Sequence, residues 1–301
     1  MDQDPASKPS IGVALGGGSA RGYAHIGALR CLERNGLAPD VVVGTSFGAL
    51  IGALYAAGLG IPELTRRATD VRRRDLLRQV PDFGLHKAAL FRGDRLENYF
   101  DELVEGRNFA DLACRFVVVA TDVDSGERVL LNDGSLARAL RASASMPGIF
   151  APVEYQGRRL VDGGLGSPVP LDTLEEQDVD IAIGIGVGLE SQDSAAIRLA
   201  LRCLDTPWGA RMYARMRDHE GSHPLRVLGR ALAYSASAWR PEEISAGEAL
   251  HVKARPPIGW LNFHKADQAI EAGEAALEAF LPTLREALQN SGGPASALAG
   301  D

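Results

Sequence analysis

Hydrophobic positions along the chain fall into two alternating patterns. Short, near-continuous apolar runs at Ile11 to Leu15, Pro39 to Val43, Phe116 to Thr121 and Val179 to Val187 have the length of strands and are bounded by turn-forming residues. Between them lie runs with helical spacing: Ala24, Ile26, Leu29 and Leu32 up to Asn35-Gly36, then Phe47 to Leu59, Leu136 to Ser145 and Ala266 to Leu288. Strands apolar on both sides that alternate with helices predict an α/β protein, with a mostly parallel central sheet covered by helices on both faces in three αβα layers. Arg128 to Leu131 folds back on Phe116 to Thr121 as a hairpin. Phe150 to Tyr155 and Arg158 to Val161 make a second strand pair, and Ala249 to Ala254 a last strand. Further helices are expected over Ile61 to Leu77, Ile197 to Leu204, Trp208 to Arg217 and Pro224 to Trp239.

Three breaks in this pattern carry chemistry. Gly44-Thr45-Ser46-Phe47-Gly48 turns a strand sharply into a helix, which lifts the Ser46 hydroxyl to a helix N-terminus where exposed N–H groups favour developing negative charge. Ser46 is a candidate nucleophile; the plainer alternative is a serine that caps its helix. Gly16-Gly17-Gly18-Ser19-Ala20-Arg21-Gly22, also between a strand and a helix, has the layout of a backbone anion cradle. Its spacing fails the dinucleotide fingerprint, and Tyr23 stands where a nucleoside triphosphate loop needs lysine. An oxyanion formed during acyl transfer needs only two or three convergent amides, and is the favoured occupant. The third break is Leu160-Val161-Asp162-Gly163-Gly164, where an acid without bulky neighbours is open to close approach by another segment, or else folds back on its own backbone in an Asx-turn.

Other features are less telling. Asp122-Val123-Asp124-Ser125-Gly126 opens like a calcium loop but lacks the further acids, so no metal site is expected. Arg66, Arg67, Arg72, Arg73 and Arg74 make the Ile61 to Leu77 helix basic, which suits either a solvated face or attraction to anionic headgroups. Val80 to Arg95 mixes turns with Phe83, Leu85, Leu90 and Phe91, a flap over an apolar cleft or packing beneath a loop. Leu225 to Trp239 offers an apolar face for core, lipid or a partner, and the oligomeric state stays open.

Composition narrows the class. At 301 residues the chain suits one domain, expected over 11–288 between a disordered head, 1–10, and a flexible tail, 289–301. Thirty-two basic against 39 acidic residues leave a net charge of −7, which does not recruit nucleic acid. Cys31, Cys114 and Cys203 lie far apart, as reduced thiols do in a cytoplasmic protein. Neither a secretion signal nor an apolar run of about 18 residues is present, so any membrane contact is expected to be peripheral.

Taken in order, the glycine turn, Gly44 to Gly48, Arg141-Ala142-Ser143-Ala144-Ser145-Met146-Pro147-Gly148 and Leu160 to Gly164 resemble the motifs of the patatin-like phospholipase family, in its bacterial branch, over roughly Ile11 to Leu288. Ile258-Gly259-Trp260-Leu261 and Ala266 to Gly273 are similar to that family's entry into its C-terminal helix. The resemblance implies a serine lipid acyl hydrolase with no cofactor, acting on lipid or simple esters. Its implied catalytic groups are Ser46 as nucleophile and Asp162 as base, with Gly17, Gly18 and Ser19 as oxyanion hole. Gly16, Arg21, Gly22, Gly44, Gly48, Pro147, Gly163 and Gly164 support these motifs. Ser19 departs from the family, many members of which carry glycine there. Two other readings stand beside it: a catalytically silent lipid-binding or regulatory protein on the same fold, and an α/β-hydrolase triad drawing its histidine from His219, His223, His251 or His264. His25, inside the helix after the glycine turn, is expected to pack rather than act as a base.

Overall fold

In the computed structural model the described residues are 9–71, 82, 89–187 and 250–291. The strands are β1 (Ile11–Leu15), β2 (Val41–Thr45), β3 (Ala89–Phe91), β4 (Arg115–Asp122), β5 (Arg128–Leu131), β6 (Gly148–Phe150), β7 (Val153–Tyr155), β8 (Arg158–Asp162), β9 (Ile181–Val187) and β10 (Leu250–Ala254). The helices are α1 (Ala24–Arg34), α2 (Phe47–Ala56), α3 (Ile61–Asp70), α4 (Asp94–Val104), α5 (Leu136–Ser143), α6 (Leu171–Glu175) and α7 (Ala266–Asn290).

Strands β10, β9, β1, β2 and β4 lie side by side, each parallel to the next, and the antiparallel strands β5, β7 and β8 complete this sheet beyond β4. Alternation of side chains along the strands builds a core on each face. Ile11, Val13, Leu15 and Val42 pack into the larger core with α1, α2, α3 and α7. Ala14, Val41, Val43, Val117 and Val119 pack on the other face with Leu171 and Leu174 of α6. The three-layer α/β architecture expected from the pattern is therefore the one found.

The edges of β4 set where the site forms. Val118 and Val119 pair with β2 on one side and with β5 on the other, whereas Ala120 and Thr121 pair with β5 and with β8. A strand has only two edges, so β8 occupies the edge that β2 has just left. Thr45 stands opposite Val119 and Asp162 opposite Ala120. Thr45 and Asp162 are thus delivered to successive places on one strand, which brings Asp162 to Ser46, 116 residues away in sequence.

Several boundaries differ from the sequence expectation. The second strand begins at Val41 and runs on through Gly44 and Thr45, because the register that pairs Leu15 with Gly44 and Thr45 with Val119 keeps both in the ladder. The expected single strand Phe150 to Tyr155 is split: β6 pairs in parallel with β3 as a separate two-stranded sheet, and β7 pairs with β8. The buried guanidinium of Arg141 explains the break, since it takes the Ala151 carbonyl between them together with those of Arg92 and Gly93. The helix from Ile61 ends at Asp70, and Arg66 and Arg67 are already paired with Glu63, Asp70 and Glu105. The expected helices between Ile197 and Trp239, Arg72 to Arg74, Cys203, most of both chain tails and half of the Val80 to Arg95 flap lie outside the described residues.

Candidate functional site

Ser46 sits at the turn from β2 into α2 with φ 53° and ψ −122°, a conformation that a non-glycine residue holds only under constraint, typically at about 1–3 kcal/mol. Small neighbours permit the constraint. A methyl on Gly48 would stand 2.2 Å from the Leu15 carbonyl oxygen, so the first turn of α2 lies directly against the end of β1. The Ser46 side chain makes no capping bond to its helix. Its Oγ instead donates to Asp162 Oδ2 at 2.7 Å, which sets aside the capping alternative.

Asp162 closes β8 and is nearly buried. Its second oxygen, Oδ1, accepts the Gly164 amide at 2.8 Å, so the Asx-type turn also forms, on the oxygen that Ser46 does not use. Gly163 lets the turn close: a methyl there would lie 2.1 Å from the Val119 carbonyl oxygen. Burial pushes the carboxyl pKa up to about 6 from an ordinary 3.8, against the opposing effect of the Ser46 and Gly164 hydrogen bonds. A carboxylate with that value is a far better proton acceptor near neutral pH than a solvated one.

The glycine turn adjoins the serine, with a methyl on Gly17 placed 3.3 Å from Ser46 Cβ. The backbone corrects one expectation here. The Gly17 N–H already donates to the Pro168 carbonyl at 3.0 Å and the Gly16 N–H to that of Ile185, which ties the turn to the loop before α6 and to β9. Among the described residues the Gly18 and Ser19 amides have no acceptor, and they are the donors the loop retains. Ser19 adopts φ 51°, the left-handed region that glycine enters freely and serine does not. Arg21 is buried and donates from Nε to the Ile258 carbonyl at 2.9 Å, which fastens the turn to the later chain.

His25 is wholly buried with Nε2 2.7 Å from the Gly16 carbonyl, and burial lowers its pKa to about 4. The neutral ring therefore donates to the glycine turn, as a packing residue does. Neither His251 nor His264 is bonded to Ser46 or Asp162; His219 and His223 lie outside the described residues. Asp122 Oδ1 takes the Asp124 amide and Asp124 pairs with Arg159, an arrangement of turn and ion pair. Among the described residues no group of three His, Cys, Asp or Glu could hold a metal ion, and no helix is long and apolar enough to cross a membrane.

One residue of the site lies inside the Arg141 to Gly148 motif without a role assigned to it from the sequence. Ser143, fully buried at the end of α5, accepts the Ser46 amide at 2.8 Å and donates its hydroxyl to the Val119 carbonyl at 2.6 Å. It thereby locks the strained elbow to β4. Removing a buried partner leaves two groups unsatisfied, at about 1–3 kcal/mol each. Ser143→Ala is expected to lower the denaturant midpoint accordingly, and an unchanged midpoint would mean that the bond carries no stability.

Comparisons with known proteins bear on the family and the fold. The family described as patatin-like phospholipase matches residues 13–175. An uncharacterized NTE family protein of Mycobacterium tuberculosis is 36% identical over 166 residues, covering 55% of this chain and 46% of that protein. Lysophospholipase NTE1 of Scheffersomyces stipitis is 28% identical over 276 residues, 89% of this chain but 18% of its own length. Among solved structures, VipD from Legionella pneumophila superposes with a TM-score of 0.58 at 15% identity, over 92% of this chain and 67% of that one, a likeness of fold. The chain spans about half the length of the mycobacterial relatives it matches.

Proposed function

This chain belongs to the patatin-like phospholipase family, and we propose that it is a serine hydrolase of lipid carboxylic esters that works through Ser46 and Asp162. The observation that carries the reading is the 2.7 Å bond from Ser46 Oγ to a nearly buried carboxylate whose pKa is raised to about 6. Ser46 Oγ attacks the ester carbonyl carbon while its proton passes to Asp162 Oδ2. The tetrahedral oxyanion is held by the Gly18 and Ser19 amides and the N-terminal end of α2. Collapse breaks the bond to the alcohol oxygen, which takes the proton back from Asp162. Water then gives a proton to Asp162 and attacks the acyl-serine. Departure of the acid returns that proton to Ser46. Protein groups and water carry every step.

Incubation with a fluorophosphonate tests the nucleophile: the protein is expected to be labelled and Ser46→Ala is not. Equal labelling of the two would end the reading. The base sets a pH dependence of definite sign. Asp162 must be ionised to accept the proton, so kcat/KM on a soluble ester is expected to climb tenfold per pH unit below about 6 and to level above it. A profile already flat at pH 5 would show that the base does not carry the raised pKa.

A further inference from the structure

Strand β10 runs parallel to β9, β1 and β2, so the chain leaving Ala254 emerges at the same edge of the sheet as the glycine turn and Ser46. From Leu250 to Ala266 the sequence contains no acid against Lys253, Arg255 and Lys265, in a chain of net charge −7. The loop is firmly attached on its inner side. The Ala20 amide donates to the Trp260 carbonyl at 3.0 Å, and Phe263 packs against Tyr23 and Phe47, with Phe47 directly following Ser46. Its outer side is open. Trp260 and Leu261 are 40% and 54% exposed, Arg255 and His264 are exposed, and neither Arg255 nor Lys265 pairs with a carboxylate among the described residues.

We propose that the loop 255–265 is the surface by which this protein docks on an anionic phospholipid bilayer, with Trp260 and Leu261 entering the interface and Arg255 and Lys265 meeting the headgroups. Indole and isobutyl side chains are suited to the boundary between headgroup and acyl chain. A protein of net negative charge is repelled by an anionic surface except where a local excess of cations faces it, so this acid-free stretch also orients the molecule. It is the orientation that turns the Ser46 edge of the sheet toward lipid. The docking surface serves the hydrolase reading above but does not need turnover to be observed.

Binding is measured by co-sedimentation of Ser46→Ala protein with vesicles of phosphatidylcholine alone or mixed with phosphatidylglycerol, while turnover of a soluble p-nitrophenyl butyrate is followed in parallel with Ser46 intact. Leu261→Asp is expected to weaken binding to the mixed vesicles by about tenfold or more, the equivalent of losing one buried apolar side chain, at unchanged butyrate turnover. Arg255→Glu with Lys265→Glu is expected to abolish the preference for mixed over neutral vesicles, as is high salt on the original sequence. In a Ser46→Ala protein that also carries Trp208→Phe and Trp239→Phe, Trp260 fluorescence is expected to shift to the blue and to be quenched by brominated lipid. Vesicle binding unaffected by either set of substitutions would overturn the proposal. So would a Leu261→Asp protein that changes only its elution volume on a sizing column, since the face would then belong to a second copy. Failure to hydrolyse the butyrate with vesicle binding intact would instead remove the hydrolase reading and leave the docking surface standing.

Discussion

Asp162→Asn is expected to reduce turnover of a lipid ester by about 10²- to 10⁴-fold, the usual contribution of a positioned general base, and at the same time to make the folded protein more stable near neutral pH. The first effect follows from donor count. With the Gly164 amide pointing at one oxygen of residue 162, an asparagine must keep its carbonyl there and turn its amide toward Ser46. Ser46 Oγ then accepts where it formerly donated, and no group is left to take its proton. The second effect follows from linkage. The folded protein holds the Asp162 proton up to about pH 6, whereas an unfolded chain releases it near pH 3.8, so the folded state binds the extra proton in that interval. Stability contributed by this group is therefore present at low pH and lost as pH rises from about 4 to about 6. Two pH units correspond to about 3 kcal/mol, taken here as an order of magnitude. The difference in unfolding free energy between Asp162→Asn and the original protein should widen across that interval and then stay constant. Near-normal turnover would remove Asp162 as the base; a difference independent of pH would remove the raised pKa.

How far the sequence foretold this arrangement depends on the range of the interactions involved. β1, the glycine turn and the elbow at Ser46 are all read from local pattern, because apolar runs and glycine spacing act within a few residues. The meeting of Ser46 with Asp162 is not local. Four motifs in order suggested it, yet the physical cause is that β2 and β8 share one edge of β4, a fact of sheet pairing that no single segment contains. The same limit explains the errors. Phe150 to Tyr155 reads as one strand because nothing near it signals that Arg141 will draw off the Ala151 carbonyl. Gly17 looks as good a donor as Gly18 until Pro168, far along the chain, takes its amide. Ser143 looked like one more small residue in a helix, and its two hydrogen bonds appear only once α5 lies against β4.

Gly48→Ala should remove most hydrolysis and lower stability by about 1–3 kcal/mol or more. The added carbon would stand 2.2 Å from the Leu15 carbonyl oxygen and 2.5 Å from that of Gly16, both backbone atoms of a strand end clamped between β2 and β9. No side chain is available to yield, so the N-terminus of α2 must retreat from β1. Ser46 moves with it, away from the glycine turn at Gly17, and its bond to Asp162 lengthens. A displacement of even about 1 Å at a reacting group is enough to reduce rate by about 10²-fold. The loss should therefore appear in kcat more than in KM, with the fluorophosphonate reaction slowed in proportion. If Gly48→Ala unfolds at the same temperature as the original protein and is labelled as fast, the packing of α2 on the strand end does not position the nucleophile. A variant that is destabilised but labelled at full rate would separate the two roles, and would leave the glycine as a requirement of the fold alone.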